Sequence, residues 1–453
     1  MNIKCMQHLY DRIFYHEKIN KLYTEEATIR YMLQFESALA SAQAKHGIIP
    51  DREAVIIAEC CCLENINIEY LIKDAALGAN TVIPLIKQLT EIVKQKDQEA
   101  AKYVHFGATS QDVIDTATML QMKAAVQTMV EDLGLHIQQL IAIIKEHKTT
   151  MMVGRSFMQQ ARPITFGYKV AGWLEPILRS QKELKELLKD GFVLQLGGAV
   201  GSLSGMQQKG WLVRKTMSKV LNLHLPAKPW HTERDYIVRI AAALSILTGN
   251  IGKIAKDISL LMQTEIAEVM EPPEEGKGGS STMPHKRNPV GSIAILANAS
   301  RVPGLMSTMF SCMLQDHERG TGFWHAEWET LASIVQLTAG CVCKAIEVTH
   351  GLEVQKEQML HNLEATKGLI YAENVSFALA ERIGKERAHE VMEQCSKEAL
   401  QKNINLKEVL LSRQNVMDYL NPSQIDCLFD PATSIGLCEE FIGQVLNKER
   451  GSC

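Results

Sequence analysis

Apolar residues recur at alternating intervals of three and four positions over long stretches of this chain. The clearest run contains Ile237, Ile240, Leu244, Leu247, Ile251, Ile254, Ile258 and Leu261. This period places the whole run on one face of an α-helix that packs against other helices. It predicts a helix over about residues 232–269.

The same periodicity predicts several more long helices. Their approximate ranges are residues 110–148, 164–188, 289–314 and 328–350. Shorter helices are predicted elsewhere, and the range 25–46 is the clearest of them. A helix of 38 residues is about 57 Å long, which exceeds the diameter of a small domain. We therefore expect the apolar stripes of such helices to be buried against other subunits.

Strand patterns are scarce, so the predicted fold class is all-α with three helical domains. Residues 1–108 form an N-terminal helical domain in this division. Residues 109–350 form a central bundle of long helices that includes a flexible loop at 271–289. Residues 351–453 form a C-terminal helical domain, because turn residues break that region into shorter elements.

Composition narrows the class of protein further. The 453 residues carry 48 Lys and Arg against 52 Asp and Glu, which gives a net charge of −4. That balance argues against a nucleic-acid partner, and 46% hydrophobic residues argue against disorder. No run of 18 apolar residues predicts a membrane span, and the N-terminus lacks the pattern of a secretory signal. We expect a cytoplasmic globular protein.

The cysteines agree with that expectation. There are 11, an odd number, and residues 60–62 are three adjacent ones. No C-x-x-C pair is present at zinc-ligand spacing, so we expect reduced structural thiols and no metal site.

One glycine-rich segment, residues 271–289, gathers groups that suit an anion. Its sequence is EPPEEGKGGSSTMPHKRNP. Hydroxyl groups and two cations precede Asn288 and Pro289, which predict a helix start with Asn288 as the N-cap. A helix N-terminus next to cations favours anion binding. The alternative interpretation is a solvated interdomain loop.

Residues 279–289, GSSTMPHKRNP, resemble the GSSxMPxKxNP loop of the fumarase/aspartase superfamily at every fixed position. The resemblance implies an all-helical, three-domain homotetramer with a core of twenty helices. It also implies active sites built from three subunits, reversible elimination next to a carboxylate, and no cofactor.

Other segments are similar to the bacterial 3-carboxy-cis,cis-muconate cycloisomerases of that superfamily. They are HFGATSQDVIDT (105–116), LGGAVGSL (196–203), PWHTERD (229–235), DISLLMQTEIAEV (257–269) and WHAEWETL (324–331). The resemblance implies lactonisation of a tricarboxylate. Adenylosuccinate lyase, which releases fumarate, is the nearest alternative, and a non-catalytic relative is a minor one.

Phe157 distinguishes the two enzymatic alternatives. In adenylosuccinate and argininosuccinate lyases, the segment that resembles residues 154–167 carries a histidine two residues after the arginine, and this histidine protonates a leaving amine. Here Phe157 follows Arg155 at that position. A phenyl ring cannot transfer a proton, which favours the cycloisomerase.

The resemblance also implies roles for residues of the 271–289 loop. Ser280 is expected to handle the proton on the carbon next to a carboxylate, with Ser281 as the alternative. Lys286, Asn288 and the helix N-terminus after Pro289 are expected to stabilise the negative charge of the intermediate. Met283 is expected to contact substrate.

Further candidates lie outside the loop. His105 is expected to bind or orient substrate, although a packed core histidine is the alternative. Thr109, Ser110 and Gln111 are expected to present polar groups to a carboxylate at a helix start. Gln159 is a candidate for neutral hydrogen bonds to substrate, and a polar residue at a helix start is the alternative.

A tricarboxylate needs several cations. Our candidates, in falling order, are Lys286, Arg234, Arg155 and Arg319. For Arg155 and Arg319, an ion pair at an interface is an equal alternative.

Overall fold

The structure is a computed structural model that describes residues 9–274, 278–279, 283 and 286–450. The two serines of the loop, Ser280 and Ser281, therefore lie outside the described residues.

Helices dominate the described chain, as the all-α prediction requires. In chain order they are α1 Asp11–Phe14, α2 Glu17–Asn20, α3 Glu25–Lys45, α4 Asp51–Cys60, α5 Ile68–Gly78, α6 Val82–Lys96, α7 Ser110–Glu146, α8 Phe166–Asp190, α9 Lys209–Val220, α10 Asp235–Leu261, α11 Val290–Ser311, α12 Phe323–Thr349, α13 Lys356–Glu364, α14 Ala372–Ile383, α15 Lys385–Lys402, α16 Leu406–Ser412, α17 Gln414–Met417, α18 Pro422–Leu428 and α19 Cys438–Arg450. Four short strands form two antiparallel pairs: β1 Met151–Ser156 with β2 Gln159–Thr165, and β3 Val269–Met270 with β4 Glu353–Val354.

The chain divides into two compact units. The first contains Met1–Gly134, Arg179–Gly252 and Ala294–Lys344, and the second contains Leu135–Leu178, Lys253–Ile293 and Ala345–Cys453. In the first unit, α3 packs against α4 and α9. In the second unit, β1 packs against α13, and helices α14 to α18 enclose a separate apolar core. The division into three domains stays a prediction.

The long apolar seam of α10 is confirmed. All eight predicted positions, from Ile237 to Leu261, are buried. Helix α7 likewise begins at the predicted residue, Ser110, and ends two residues before the predicted end.

The predicted end of α10 is wrong, because the helix stops at Leu261 rather than near residue 269. The Glu268 N–H donates to the Leu261 carbonyl at 2.9 Å, and Ala267 has a φ of +48°. The chain leaves helical geometry after Leu261, and Val269 and Met270, which begin two residues beyond the left-handed Ala267, pair as β3 with β4. The periodic apolar pattern also ends at Leu261, so the extension to residue 269 had no packing support.

Two helices, α10 and α12, are long and apolar enough to cross a membrane by length and composition alone. More than half of each apolar window is buried within the protein. That burial is the pattern of core helices.

Candidate active site

The start of α7 is organised by one buried carboxylate, Asp112. Its oxygens accept hydrogen bonds from the backbone N–H groups of Thr109 at 3.0 Å and of Gly197 and Gly198 at 2.9 Å each. The ring nitrogen Nε2 of His231 lies 2.7 Å away. Asp112 therefore caps the helix and fixes the 196–203 segment against it.

Glycine is required where that segment meets its neighbours. A Cβ atom at Gly197 would lie 2.7 Å from Cβ of Pro229 and 2.8 Å from Cε1 of His231. Gly198 has a φ of +68° and approaches the Gly107 carbonyl oxygen closely. Both positions exclude a side chain, which explains the paired glycines of LGGAVGSL.

The three polar residues predicted at this helix start differ in their surroundings. The Thr109 hydroxyl accepts a hydrogen bond from Nη1 of Arg319 at 2.9 Å. Ser110 is half-buried, and no described residue bonds its hydroxyl. Thr109 and Ser110 thus remain candidates for contact with an anion at the N-terminus of α7.

Gln111 is directed into the protein interior. The residue is 1% exposed, and its amide donates to Oδ2 of Asp115 at 3.2 Å and to the carbonyl of His231 at 2.8 Å. A contact of this side chain with substrate stays a prediction, and these internal hydrogen bonds argue against it.

Arg234, the second-ranked cation, is held by buried protein carboxylates. Oxygens of Asp115 and Glu327 lie 2.6 to 3.0 Å from its Nε, Nη1 and Nη2 atoms, and a weaker contact at 3.5 Å reaches the carbonyl of His231. The guanidinium also lies over the ring of Trp230, at 4.8 Å. Protein groups occupy all five N–H donors, so none remains for substrate.

Arg319, the last-ranked cation, differs from Arg234 in the groups that surround its guanidinium. Its Nη1 donates to Thr109 and to the carbonyl of Ala199, and the guanidinium lies 6.0 Å from the ring of Trp324. Burial lowers the pKa of Arg319. No carboxylate of the described chain lies within ion-pair distance of it. An unpaired guanidinium beside the α7 N-terminus is suited to an incoming carboxylate.

His105 lies in the turn between the short helical segment Ala100–Tyr103 and α7. Its Nδ1 is 2.7 Å from Oε1 of Glu36, a residue of α3 that is 1% exposed. Burial acts to lower the pKa of His105, but the charge and hydrogen bond of Glu36 outweigh it, and the net direction is upward.

In the second unit, the base of the 271–289 loop is closed by several contacts. The Asn288 N–H donates to the Gly278 carbonyl at 2.8 Å. Arg287 donates to Glu353 at 2.9 Å and to the carbonyl of Glu271 at 2.6 Å. Lys286 is exposed and has no ion-pair partner in the described part of the chain. The loop thus has a fixed base and an available cation.

The helix start after Pro289 corrects a prediction. The carboxylate of Glu271 accepts hydrogen bonds from the N–H groups of Gly291 and Ser292, at 3.0 and 2.8 Å, and from the Ser292 hydroxyl at 2.7 Å. The helix begins at Val290, and Glu271 rather than Asn288 supplies the side-chain cap. Two N–H groups of this N-terminus are therefore bonded to a protein carboxylate, which argues against a role in stabilising an intermediate.

Gly278 offers a test of how much the loop base matters. Gly278 has a φ of +70°, and a Cβ atom added at this position would lie 2.7 Å from the Asn288 carbonyl oxygen. We expect Gly278→Ala to lower kcat by about 10- to 100-fold, because misplacing catalytic groups by about 1 Å has costs of that order. Steady-state kinetics and a thermal melt measure this. Gly279→Ala is the matched control, since nothing lies within 4 Å of a Cβ atom at Gly279. Equal losses in both variants would contradict the expectation.

Arg155 is held by an internal ion pair rather than left for substrate. Its Nη1 and Nη2 lie 2.9 and 2.7 Å from the two oxygens of Glu268, which also accepts from Asn362 at 2.8 Å. This pair lies within one chain, so it is not the interface ion pair given as the alternative. A contact of Arg155 with substrate stays a prediction, and the pair with Glu268 argues against it.

The remaining candidates of the second unit lie on its surface. Strands β1 and β2 are joined by a two-residue turn at Phe157 and Met158, with φ values of +49° and +66°. Phe157 is 97% exposed, and Gln159, next to the turn, is also exposed. Met283 is 43% exposed on the loop. Among the described residues, no group of three or more His, Cys, Asp or Glu side chains could hold a metal ion.

Glu36 and Glu271 were missed by sequence reasoning. Glu36 and Gln43 fall on the buried stripe of α3, which otherwise consists of apolar residues such as Ile29, Leu33 and Leu39. Polar residues at core positions of an amphipathic helix are a readable signal of buried hydrogen bonds. Glu271 gave no such signal.

The helical fold is that of a known class of enzymes. A family model described as Lyase matches residues 12–304, and one described as Adenylosuccinate lyase C-terminus matches residues 368–445. The chain belongs to this lyase family, and it is an enzyme of the fumarase/aspartase superfamily.

Individual relatives are similar to this chain over nearly its whole length. The chain is 43% identical to a 3-carboxy-cis,cis-muconate cycloisomerase of Acinetobacter baylyi, with 98% of this chain and 99% of that one covered. It is 45% identical to one from Bradyrhizobium diazoefficiens, over 93% and 94% of the two chains. A crystal structure of β-carboxy-cis,cis-muconate cycloisomerase from Acinetobacter calcoaceticus sp. ADP1 matches with a TM-score of 0.92 and 41% identity, over 97% of this chain and 100% of that one.

Proposed function

We propose that this chain is a cofactor-free 3-carboxy-cis,cis-muconate cycloisomerase. It reversibly lactonises the tricarboxylate to 4-carboxymuconolactone, in the protocatechuate branch of aromatic breakdown, the β-ketoadipate pathway. The observation that carries the proposal is Phe157 at the exposed hairpin tip, where the amine-eliminating lyases have a proton-donating histidine. The cycloisomerase relatives, 43% and 45% identical, support it.

The chemistry accounts for the loss of that acid. In lactonisation, one carboxylate oxygen of the substrate bonds to a carbon of its own conjugated double bond, and a proton is added to the carbon next to another carboxylate. The attacking group is already an anion at neutral pH, so it needs no base. In reverse it leaves as an anion, so it needs no acid. Only the proton on carbon requires a catalyst, together with positioning of the chain for ring closure.

Ser280 is our candidate for the residue that transfers that proton, and Ser281 is the alternative. A serine hydroxyl is a weak base, so it requires nearby N–H groups and positive charge. Lys286 supplies the charge, which is consistent with its exposure and its lack of an ion-pair partner among the described residues. Asn288 and Met283 complete the contacts of the loop with substrate.

The other candidates bind the carboxylates that do not react. Arg319 now ranks above Arg234 and Arg155 as a cation for the substrate carboxylates. Both of those arginines are paired with protein carboxylates. Thr109 and Ser110 add a hydroxyl and helix N–H groups beside Arg319. His105 and Gln159 remain candidates for binding or orientation.

We further propose a homotetramer with active sites shared between subunits. The parts of α10 and α11 in the first unit border an open apolar groove of about 740 Å³. Ile246, Phe310 and Leu314 line it and are 64%, 55% and 72% exposed. Apolar side chains at this exposure on long helices fit burial against another copy. A tricarboxylate as substrate, a cytoplasmic location, and no nucleic-acid or membrane partner complete the proposal.

The test uses two substrates and ultraviolet spectroscopy. Purified protein is mixed separately with 3-carboxy-cis,cis-muconate and with adenylosuccinate, and the spectrum of each mixture is followed. We expect the conjugated diene of the muconate to disappear and adenylosuccinate to persist. Conversion of adenylosuccinate alone would overturn the proposal, and conversion of neither would favour the non-catalytic alternative.

Restoring a histidine at the hairpin tip provides a second check. We expect Phe157→His to leave muconate cycloisomerisation no faster than in the wild type, because that reaction has no leaving group to protonate. Steady-state kinetics at saturating substrate measure the change. A several-fold gain in kcat would indicate that an acid at this position limits the reaction, contrary to the proposed chemistry.

A further inference from the structure

We propose that Glu36 is a positioning residue that keeps the His105 ring cationic and oriented, so that its Nε2–H binds a carboxylate of the substrate. The proposal rests on the proposed function for its substrate class. Neither the family resemblance nor the sequence pattern of the candidate site had assigned Glu36 a role.

Helix α3 holds the turn that carries His105 at two points. Glu36 lies 2.7 Å from Nδ1 of His105, and Gln43, two turns later on the same face, donates to the Phe106 carbonyl at 2.6 Å. Both side chains are buried. A turn bonded from one rigid helix at two neighbouring residues has a fixed position relative to that helix.

The backbone of His105 shows that this position is imposed. Its φ is +59°, in the left-handed region that most residues with a side chain avoid. Such a conformation persists only where surrounding contacts determine it, and it occurs often at functional sites. Gly107, at a φ of +72°, completes the turn, with Met206 packed against it.

The contact with Glu36 fixes which ring nitrogen is presented. A carboxylate oxygen only accepts, so Nδ1 carries the hydrogen and donates to Glu36. Nε2 has no hydrogen-bond partner among the described residues, and the side chain is 18% exposed. Nε2 is therefore the atom that reaches a ligand, and it can donate only when the ring is protonated.

The charges that face the ring favour protonation. Glu36 from α3 and Asp112 from α7 are both negative, and they act against the burial that opposes charge on the ring, so the pKa of His105 is raised above 6.5. Cys61, which follows α4, is a further titratable group near Glu36, and burial raises the pKa of its thiol, so it stays neutral. A raised pKa extends the cationic form to pH values above 6.5, where an ordinary histidine loses its proton.

The proposed substrate carries carboxylates that the protonated ring of His105 can bind. A tricarboxylate offers more than one carboxylate, and in the first unit Arg319 is a cation without a carboxylate partner among the described residues. An imidazolium supplies a second cation, with a donor whose direction is fixed by Glu36.

The test measures binding of propane-1,2,3-tricarboxylate by calorimetry, so that it does not depend on turnover. At pH about 6.5, we expect Glu36→Gln to weaken binding by about tenfold, because the amide keeps a hydrogen bond to Nδ1 but removes the charge that holds the ring protonated. The loss should shrink as the pH rises toward about 9, where the ring is neutral in both proteins. A constant ratio of the two dissociation constants across this range would overturn the proposal.

Two further variants separate positioning from folding. Gln43→Leu loosens the same turn without changing charge, so it should lower the melting temperature while leaving the pH dependence of binding as in the wild type. His105→Gln should abolish the part of that pH dependence attributed to the ring, even if Glu36→Gln fails to fold. An unchanged pH dependence in His105→Gln would overturn the proposal. If the wild type binds as expected but does not cyclise carboxymuconate, the proposed function fails and the role of Glu36 stands.

Discussion

Replacing Ser280 by alanine should lower kcat by about 10²-fold or more, with little change in KM. The hydroxyl is proposed to move the only proton that needs a catalyst, and general acid–base groups contribute about 10²- to 10⁴-fold. Substrate binding by the cations is left in place, so the loss belongs to the chemical step. Turnover of 3-carboxy-cis,cis-muconate, followed by its ultraviolet absorbance, measures the effect.

The neighbouring serine is the matched control for this prediction. Ser281→Ala removes the same atom one residue later in the same loop and is expected to cost less than tenfold. If Ser281→Ala shows the large loss instead, the proton-transfer role moves to that residue. Near-normal rates in both variants would remove the loop hydroxyls from the mechanism.

The fold was predictable wherever burial alone decides the structure. The seam of α10 consists of apolar residues at helical spacing, and burying them needs no partner of particular chemistry. The end of α10 was not predictable in this way, because it depends on a left-handed Ala267 and on pairing with β4, about 85 residues later in the chain.

The arginines show why the site was harder to predict. A guanidinium fits a substrate carboxylate and a protein carboxylate equally well, so residue type alone cannot separate the two uses. The partners of Arg234 lie 119 and 93 residues away, and the partner of Arg155 lies 113 residues away. Only the three-dimensional structure reveals that Arg319, the lowest-ranked of the four cations, has no carboxylate partner among the residues that the structure describes.

The cap of α11 likewise comes from a residue that is distant in the chain. Asn288 followed by Pro289 is a sound local prediction of a helix start, and the helix does begin next to it. The cap itself comes from Glu271, at the other end of the loop. One carboxylate thereby closes the base of the loop and occupies the N–H groups that we had expected to face the intermediate. The proposed stabilisation of charge then depends on Lys286 and Asn288.

Replacing Arg234 by methionine should lower the free energy of unfolding by about 3–5 kcal/mol. The change leaves the buried carboxylates of Asp115 and Glu327 without their shared cation, and breaking a buried ion pair from one side has costs of that order. Burial already raises the pKa of Glu327 in spite of Arg234, so the loss of the cation should push that pKa further upward. Denaturant unfolding at pH about 7 measures the change.

Arg319→Met is the matched control, because it removes a guanidinium that has no carboxylate partner among the described residues. We expect it to raise KM by about tenfold or more while the free energy of unfolding changes by less than about 1 kcal/mol. Adding Asp115→Asn and Glu327→Gln to Arg234→Met should recover part of the lost stability, since the unpaired charges are then gone. The opposite pattern, with stability intact in Arg234→Met and a raised KM, would restore Arg234 as the substrate clamp. The two arginines therefore differ in what they hold: Arg234 stabilises the fold around the start of α7, and Arg319 remains available to the ligand.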